Sequence, residues 1–282
     1  MSPHVVLPHR FTCGEYAFWT AEWKAVRDQA ELRIGLKKGT FIDPSGVVLL
    51  AAGIAARQET GKPTSLSVED PEDDTVRYLQ RMDFFEQLGI DRPERFTRQH
   101  VRQRFVTLRR ITDERIARAL ADDAAAFLEE HFVGKNVGSV LRFARFIFEE
   151  LGVNIVHHSE RTGTGFGMAQ AWPQQGRIQI AFADAGVGFR ESLCRNYEYR
   201  GRIEDDAHAI ELCLQQDVSG GGEGHSGLGL FLLTQLSDKA KGTVRIGSGE
   251  ALVRRRPDGA NHSSGTAGWQ GAWISFDAKI SP

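Results

Sequence analysis

Glu150 and Asn154 are polar residues four positions apart in a stretch, 139–158, that is otherwise rich in apolar residues. Residues four apart lie on one face of a helix, and apolar residues around nearly its whole circumference predict that this helix is buried. A buried amide oxygen suits a hard cation such as Mg²⁺. A carboxylate one turn away could activate a water molecule or a hydroxyl group. The alternative is a helix end that reaches solvent, with Glu150 merely exposed.

A second candidate is Asp184-Ala-Gly186-Val-Gly188, which follows an apolar run at 177–183. An aspartate at the end of a strand can accept a hydrogen bond from an exocyclic amine. The two glycines let the backbone approach a flat ligand or adopt positive φ. The alternative is an ordinary turn after a strand, in which the aspartate binds its own backbone.

A third candidate is the glycine-rich stretch 220–229, which leads into an apolar segment at 228–236. A glycine-rich loop that opens a helix presents free amide donors and the positive end of the helix dipole, so it suits an anion. A flexible surface loop is the alternative. A dinucleotide fold would need an apolar strand before these glycines, and a nucleophile elbow at Ser226 would need glycine where Leu228 stands. The chain contains no GxxxxGK[ST] sequence, which excludes a P-loop.

The elements that would position these residues can be assigned from hydrophobic periodicity. The pattern predicts helices at 113–132 and 139–158 and strands at 177–183, 243–247 and 272–278. It predicts glycine-rich connections at 163–167, 186–188 and 220–229.

In this order, the three motifs resemble the GHKL ATPases, the superfamily of gyrase, histidine kinases, mismatch-repair ATPases and a large heat-shock chaperone. The resemblance covers residues 113–282 and implies an α/β (α+β) fold, a two-layer sandwich with a mixed sheet. It implies that Glu150 activates the nucleophile, that Asn154 holds Mg²⁺ and that Asp184 binds the adenine amine. It also implies that ATP is bound by the glycines after Asp184 and by the lid, namely Gly186, Gly188, Gly224, His225, Ser226, Gly227, Leu228 and Gly229.

Residues 31–90 predict a small α/β unit, with strands at 32–36 and 65–68 and helices at 47–57 and 75–89. This unit resembles a STAS domain of the anti-sigma-antagonist type. Ser45 stands where that family has its phosphorylation loop, before a helix. The resemblance implies a protein partner and Ser45 as a phosphoacceptor. The alternative is a structural helix start.

The chain departs from each family at one position. Pro44 replaces a serine of the STAS loop, and Ala272 stands where the last GHKL strand often carries threonine. No phosphoacceptor histidine box is evident in the sequence, so an ordinary sensor histidine kinase is not expected. An acid at position 150 favours hydrolysis or the phosphorylation of a hydroxyl group.

Between the two units the composition changes, with nine arginines and three acids in residues 92–118. We interpret 92–112 as a solvated helical connector between domains at 1–91 and 113–282. A patch for nucleic acid or an acidic partner is the alternative, and the lack of interleaved aromatic residues weakens it. By analogy with many GHKL proteins, residues 95–132 are a candidate for homodimer contacts.

The length of 282 residues suggests about two domains at ~150 residues each. A net charge of −2 argues against electrostatic binding of nucleic acid by the whole molecule. The sequence shows neither a signal-peptide pattern nor an apolar run of membrane-spanning length, and its three scattered cysteines suggest free thiols. We therefore expect a cytoplasmic protein with neither a membrane nor a nucleic-acid partner.

Together these features predict a Mg-ATP-binding regulatory protein with a fused STAS-like interaction domain. It would be an ATPase or a serine/threonine protein kinase of the anti-sigma or histidine-kinase-like type. Two alternatives remain open. One is a non-catalytic, nucleotide-dependent switch, and the other is an interaction module in which the arginine-rich connector binds an acidic partner.

Overall fold

A computed structural model of the chain describes residues 3–94, 96–97, 105–131, 144–218 and 228–279. Its strands are β1 (His4–Val6), β2 (Arg10–Phe11), β3 (Leu32–Leu36), β4 (Phe41–Ile42), β5 (Thr64–Val68), β6 (Phe105–Ile111), β7 (Gly165–Trp172), β8 (Arg177–Ala183), β9 (Thr243–Arg255) and β10 (Asn261–Lys279). Its helices are α1 (Tyr16–Val26), α2 (Pro44–Glu59), α3 (Asp74–Arg81), α4 (Phe84–Gln87), α5 (Glu114–His131), α6 (Ala144–His158), α7 (Gly188–Arg195), α8 (Asp206–Cys213) and α9 (Gly229–Lys239). The chain is thus of the α/β class, with parallel and antiparallel sheets.

The larger sheet has the strand order β6-β7-β8-β10-β9, and every neighbouring pair in it is antiparallel. The expectation of a mixed sheet in residues 113–282 is therefore wrong. The connections explain the difference, because a short turn at Pro173–Gln175 joins β7 to β8 and another at 256–260 joins β9 to β10. Short turns reverse the chain and give antiparallel neighbours. The parallel pairs belong to the small sheet β1-β3-β5 and to the two-stranded sheet β2-β4.

Strand β6 lies inside the stretch that we interpreted as a helical connector, so the sheet begins earlier than the predicted boundary at residue 113. Val106, Leu108 and Ile111 are buried in it. The arginines between them are accommodated at the edge of the sheet, where Arg109 pairs with an acid of α5 and Arg110 donates to a main-chain carbonyl. These arginines obscured the alternation that marks a strand.

Strand β7 is the second correction, because its glycines had suggested a connection at 163–167. A Cβ atom added at Gly167 would lie 2.8 Å from the ring of Phe182 and 2.5 Å from a methyl group of Leu120. At Gly165 it would collide with Ile155 of α6. Glycine is therefore needed in β7 so that helices α5 and α6 can pack closely on the sheet.

The central strand β8, predicted at 177–183 and confirmed there, shows that both faces of the sheet are covered. Ile178, Ile180 and Phe182 belong to a core shared with helices α5 to α9. Ala181 and Ala183 belong to a second core shared with α1 and α2. Small residues on that face allow α2 to approach β8 closely.

The N-terminal unit, defined here as β1–β5 and α1–α4, thus shares a core with the larger sheet. Tyr16 of α1 stacks on Trp273 of β10 with ring centroids 4.6 Å apart, and Trp23 packs against Trp269 at 6.1 Å. Nearly all of α2 is buried. In the region predicted as one helix at 75–89, Asp83 has a φ of 61° and separates α3 from α4.

The start of α2 bears on the hypothesis about Ser45. Asp43 caps the helix, with its Oδ1 accepting from the N–H of Gly46 at 3.2 Å. The side chain of Ser45 is fully buried and donates to the Asp43 carboxylate. Because a phosphoacceptor must be accessible, this placement favours the structural alternative, a helix start.

No helix in the described ranges combines the length and the apolar character needed to cross a bilayer.

Candidate functional site

A pocket opens between helix α6 and the sheet and is lined by residues from six separate segments. Asn154 comes from α6, Asp184 follows β8, Gly188 begins α7 and Gly229 begins α9. The structure therefore brings together four residues that the sequence had singled out. The cavity has a volume of about 90 Å³.

Asp184 is the most deeply buried charged group of this pocket, with 5 % of its surface exposed. Its Oδ1 accepts a hydrogen bond from the N–H of Gly186 at 2.8 Å. Burial raises the pKa of Asp184 to about 6, although hydrogen bonds from main-chain N–H groups and the nearby charge of Arg161 oppose the shift. Burial makes the ionised form of this carboxylate unfavourable. A carboxylate that a pocket keeps in spite of this cost is a functional-site candidate.

Helix α6 places Asn154 in the pocket and Glu150 beside it. Both are half-buried, so the alternative of a merely exposed Glu150 is wrong. Glu150 lies against the first residue of α9, where a Cβ atom added to Gly229 would be 2.5 Å from the Cβ of Glu150. A carboxylate at the N-terminus of a helix is stabilised by the helix dipole, which gives Glu150 a structural role as well.

Close steric contacts explain why glycine stands at positions 186, 188 and 229. A Cβ atom at Gly186 would overlap the main chain of Ser159, and at Gly188, where φ is 79°, it would lie 2.5 Å from Ser248 Oγ. Gly229 is required by the contact with Glu150. Gly188 and Gly229 line the pocket, whereas Gly186 does not, and the packing of the protein alone already accounts for all three glycines.

The predicted lid is described only at its end. Gly224, His225, Ser226 and Gly227 lie outside the described residues. Leu228 is half-buried and immediately precedes α9. The assignment of these residues to a phosphate-binding lid stays a prediction.

Several residues of the pocket were missed by the sequence analysis. Its walls are largely apolar, formed by Leu151, Ile155, Phe182, Phe189, Leu193 and Ile274. His158, Ser159, Ser192 and Cys213 add polar atoms. Burial raises the pKa of the Cys213 thiol to about 12, so this thiol is neutral at pH 7. The strand alternation of Phe182 and Ile274 was the signal that could have identified two wall residues.

The two adjacent histidines face different surroundings. His158 lines the pocket. The neighbouring His157 is exposed, and its Nε2 lies 2.8 Å from Oε1 of Glu114 on α5. His157 therefore belongs to a surface contact between helices α5 and α6.

Comparison with known proteins gives no identification. No protein-family model matches the chain, and no curated protein matches it either. The residues of the pocket must therefore be interpreted from their own geometry.

Ala272, where the sequence resemblance led us to look for a threonine, lines the pocket. A hydroxyl group is instead supplied by Ser248 of β9, the strand next to β10 in the sheet. Ser248 donates to the carbonyl of Gly271 at 2.7 Å and accepts from the N–H of Phe189 at 3.1 Å. Ser248 is buried and fixes the start of α7 against the sheet.

Among the described residues, no three His, Cys, Asp or Glu side chains lie close enough together to hold a metal ion. A metal at Asn154 would therefore depend on ligand oxygens and water. Mg²⁺ is typically bound in this way, with few protein ligands, several waters and the phosphates of a substrate. The donor set thus suits Mg²⁺ bound with a nucleotide and does not suit zinc.

Proposed function

We propose that the chain binds an adenine nucleotide together with Mg²⁺ in the pocket between α6 and the sheet. The supporting observation is the placement of the Asp184 carboxylate in a pocket with apolar walls. Apolar walls with a few fixed polar groups are typical of small-molecule sites. A flat aromatic base would fill the apolar space, and Asp184 would accept a hydrogen bond from its exocyclic amine.

The residues beside the base site suit a triphosphate. Asn154 would contribute an oxygen ligand to Mg²⁺, which offsets phosphate charge when it is bound. The N-terminus of α9 at Gly229 offers main-chain N–H groups and the positive end of the helix dipole. We therefore propose that the phosphates extend from Asp184 towards the N-terminus of α9.

Glu150 is positioned one turn before Asn154 on the same helix. In an active enzyme its carboxylate would accept a proton from water or from the hydroxyl group of a protein substrate. The proposed activity is thus that of a regulatory ATPase or a serine/threonine protein kinase. The N-terminal unit, through its resemblance to STAS domains, would supply the contact with a protein partner.

Binding is tested by isothermal titration calorimetry with Mg-ATP on the wild type and Asp184→Asn. Loss of the ionised acceptor is expected to weaken binding by about 10- to 100-fold, the effect of a hydrogen bond to a charged group. Asp43→Asn is the matched control, because Asp43 is also a buried aspartate with a raised pKa but does not line the pocket. Equal binding by the wild type and Asp184→Asn would contradict the adenine assignment.

A non-catalytic switch is favoured by one specific observation. Glu150 packs against Gly229 and is not among the residues that line the pocket. Phosphate release and phosphoryl transfer should therefore be measured for Glu150→Gln. Its matched control is Glu149→Gln, the adjacent acid, which pairs with Arg118 and Arg145. Turnover lost only in Glu150→Gln supports catalysis, and turnover unchanged with intact binding supports the switch.

A further inference from the structure

Arg161 makes three contacts that join two parts of the molecule. Its Nε donates to Oε2 of Glu59 at 3.0 Å, and one terminal nitrogen donates to the carbonyl of Ala56 at 2.9 Å. The other terminal nitrogen donates to the carbonyl of Ala185 at 3.1 Å. Ala56 and Glu59 belong to the last turn of α2 in the N-terminal unit, whereas Ala185 is adjacent to Asp184.

Part of this arrangement has an ordinary structural explanation. The last carbonyls of a helix lack partners within the helix, and a cation there interacts favourably with the helix dipole. Arg161 fulfils that role for α2. The contact with Ala185 is not needed for capping α2, and it connects the cap to the pocket.

The segment after β8, here called the pocket loop (residues 184–187), is held from several sides. Its main-chain atoms bind Thr164 and Trp269: the N–H of Ala185 donates to Thr164 Oγ1 at 3.1 Å, and the indole N–H of Trp269 donates to the carbonyl of Asp184 at 2.9 Å. Trp269 in turn packs against Trp23 of α1. Two residues therefore connect the pocket loop to the N-terminal unit. Arg161 connects it to α2, and Trp269 connects it to α1.

We propose that Arg161 is a positioning residue that ties the pocket loop to helix α2, so that nucleotide affinity depends on how the N-terminal unit packs on the sheet. This inference rests on the proposed function. Arg161 acts through the main chain of Ala185, which fixes the direction of the neighbouring Asp184 carboxylate. Its charge also favours the ionised carboxylate, the form that accepts from an amine.

The charged and titratable groups around Asp184 define the controls. From α6 His158 lines the same pocket, and from α8 Cys213 does so. From the segment after α6 comes Arg161, with its partner Glu59 of α2. His158 is the other side chain of this pocket that can carry a positive charge, so the experiment below includes a variant without it.

The test measures Mg-ATP affinity by calorimetry between pH 5.5 and 8 for the full chain and for Arg161→Gln, Arg161→Lys and Glu59→Gln. Comparison of each variant with the wild type at the same pH cancels the titration of the nucleotide itself. Arg255→Gln is the matched control, because Arg255 forms an ion pair with Asp238 at 2.7 Å, has similar exposure and lies outside the pocket. A melting curve for each variant checks that it folds.

We expect Arg161→Gln to bind about tenfold more weakly at pH 7, an effect typical of lost supporting contacts around a site. The loss should be larger at pH 6 than at pH 8, because without the positive charge Asp184 is protonated at a higher pH. Arg161→Lys should restore the pH profile without restoring full affinity. Glu59→Gln should weaken binding with little change in the pH profile, because the charge of Arg161 remains.

Two results would overturn the inference while leaving nucleotide binding intact. One is an affinity of Arg161→Gln equal to that of Arg255→Gln when Asp184→Asn has lost binding. The other is a pH effect of Arg161→Gln that disappears in a His158→Asn background, which would assign the titration to the imidazole. If the wild type binds no Mg-ATP at all, the proposed function fails as well.

Discussion

Asp184→Asn should stabilise the nucleotide-free protein at neutral pH, although it should weaken nucleotide binding. The pKa of Asp184 is about 6 in the folded protein against an ordinary value of 3.8. This is a difference of about two units, and each unit corresponds to about 1.4 kcal/mol. The ionised Asp184 carboxylate therefore costs about 3 kcal/mol of folding free energy at pH 7.

The raised pKa of Asp184 also predicts how the stability gain of Asp184→Asn varies with pH. Below pH 3.8 the carboxyl group is protonated in both the folded and the unfolded chain, so it costs nothing. As the pH rises, the unfolded chain ionises first, and the folded state loses stability until the pH passes about 6. Asparagine keeps an oxygen that can accept from the N–H of Gly186, so the substitution removes the charge without removing that contact.

The assay is urea denaturation of the wild type and Asp184→Asn between pH 4 and pH 8, with the free energies of unfolding compared at each pH. The gain should be about 3 kcal/mol at pH 7 and should fall towards zero near pH 4. Asp258→Asn is the control, because its Oδ1 also accepts from the N–H two residues ahead, at 3.0 Å, but in an exposed turn. A variant no more stable than the wild type at pH 7, or a gain that is the same at pH 4, would refute the reasoning.

Two further predictions concern packing and thiol reactivity. Gly167→Val should lower the melting temperature strongly, because the added atoms overlap the Phe182 ring. Gly265→Val is the control and should change the melting temperature little, since no described atom lies within 4 Å of its Cβ position. Equal melting temperatures of the two variants would contradict the proposed reason for glycine in β7. The thiols of the half-buried Cys13 and the buried Cys213, whose pKa values desolvation raises to about 11 and about 12, should react slowly with a thiol reagent at pH 8 and rapidly in urea. Rapid labelling of both thiols in the folded protein, located by mass spectrometry, would contradict their raised pKa values.

The sequence predicted four of the residues that meet at the pocket, Asn154, Asp184, Gly188 and Gly229, because each stands in a recognisable motif. The apolar walls and their polar neighbours were missed. Arg161 could not be found in this way. It contacts carbonyl oxygens, which every residue possesses, so its partners leave no pattern in the sequence.

The strands of the larger sheet likewise divide into those that the sequence predicted and those that it did not. Strand β8 was predicted with its observed bounds because most of its residues are apolar. Strands β6 and β7 were missed because arginines and glycines occupy positions that usually alternate with apolar residues. Helix α2 was predicted at 47–57, and it is buried on nearly every side. A helix that is apolar all round must be covered on every side, and the small sheet of the N-terminal unit is too narrow to do so.

The packing of α1 on β10 has a consequence for the synthesis of the chain. Tyr16 and Trp23 are synthesised well before their partners Trp273 and Trp269, which stand far along the chain. Until strand β10 has been made, these aromatic rings lack the surface that covers them in the folded protein. Contacts between such distant parts of a chain form slowly, and apolar surface exposed in the meantime is a risk for aggregation of the nascent chain.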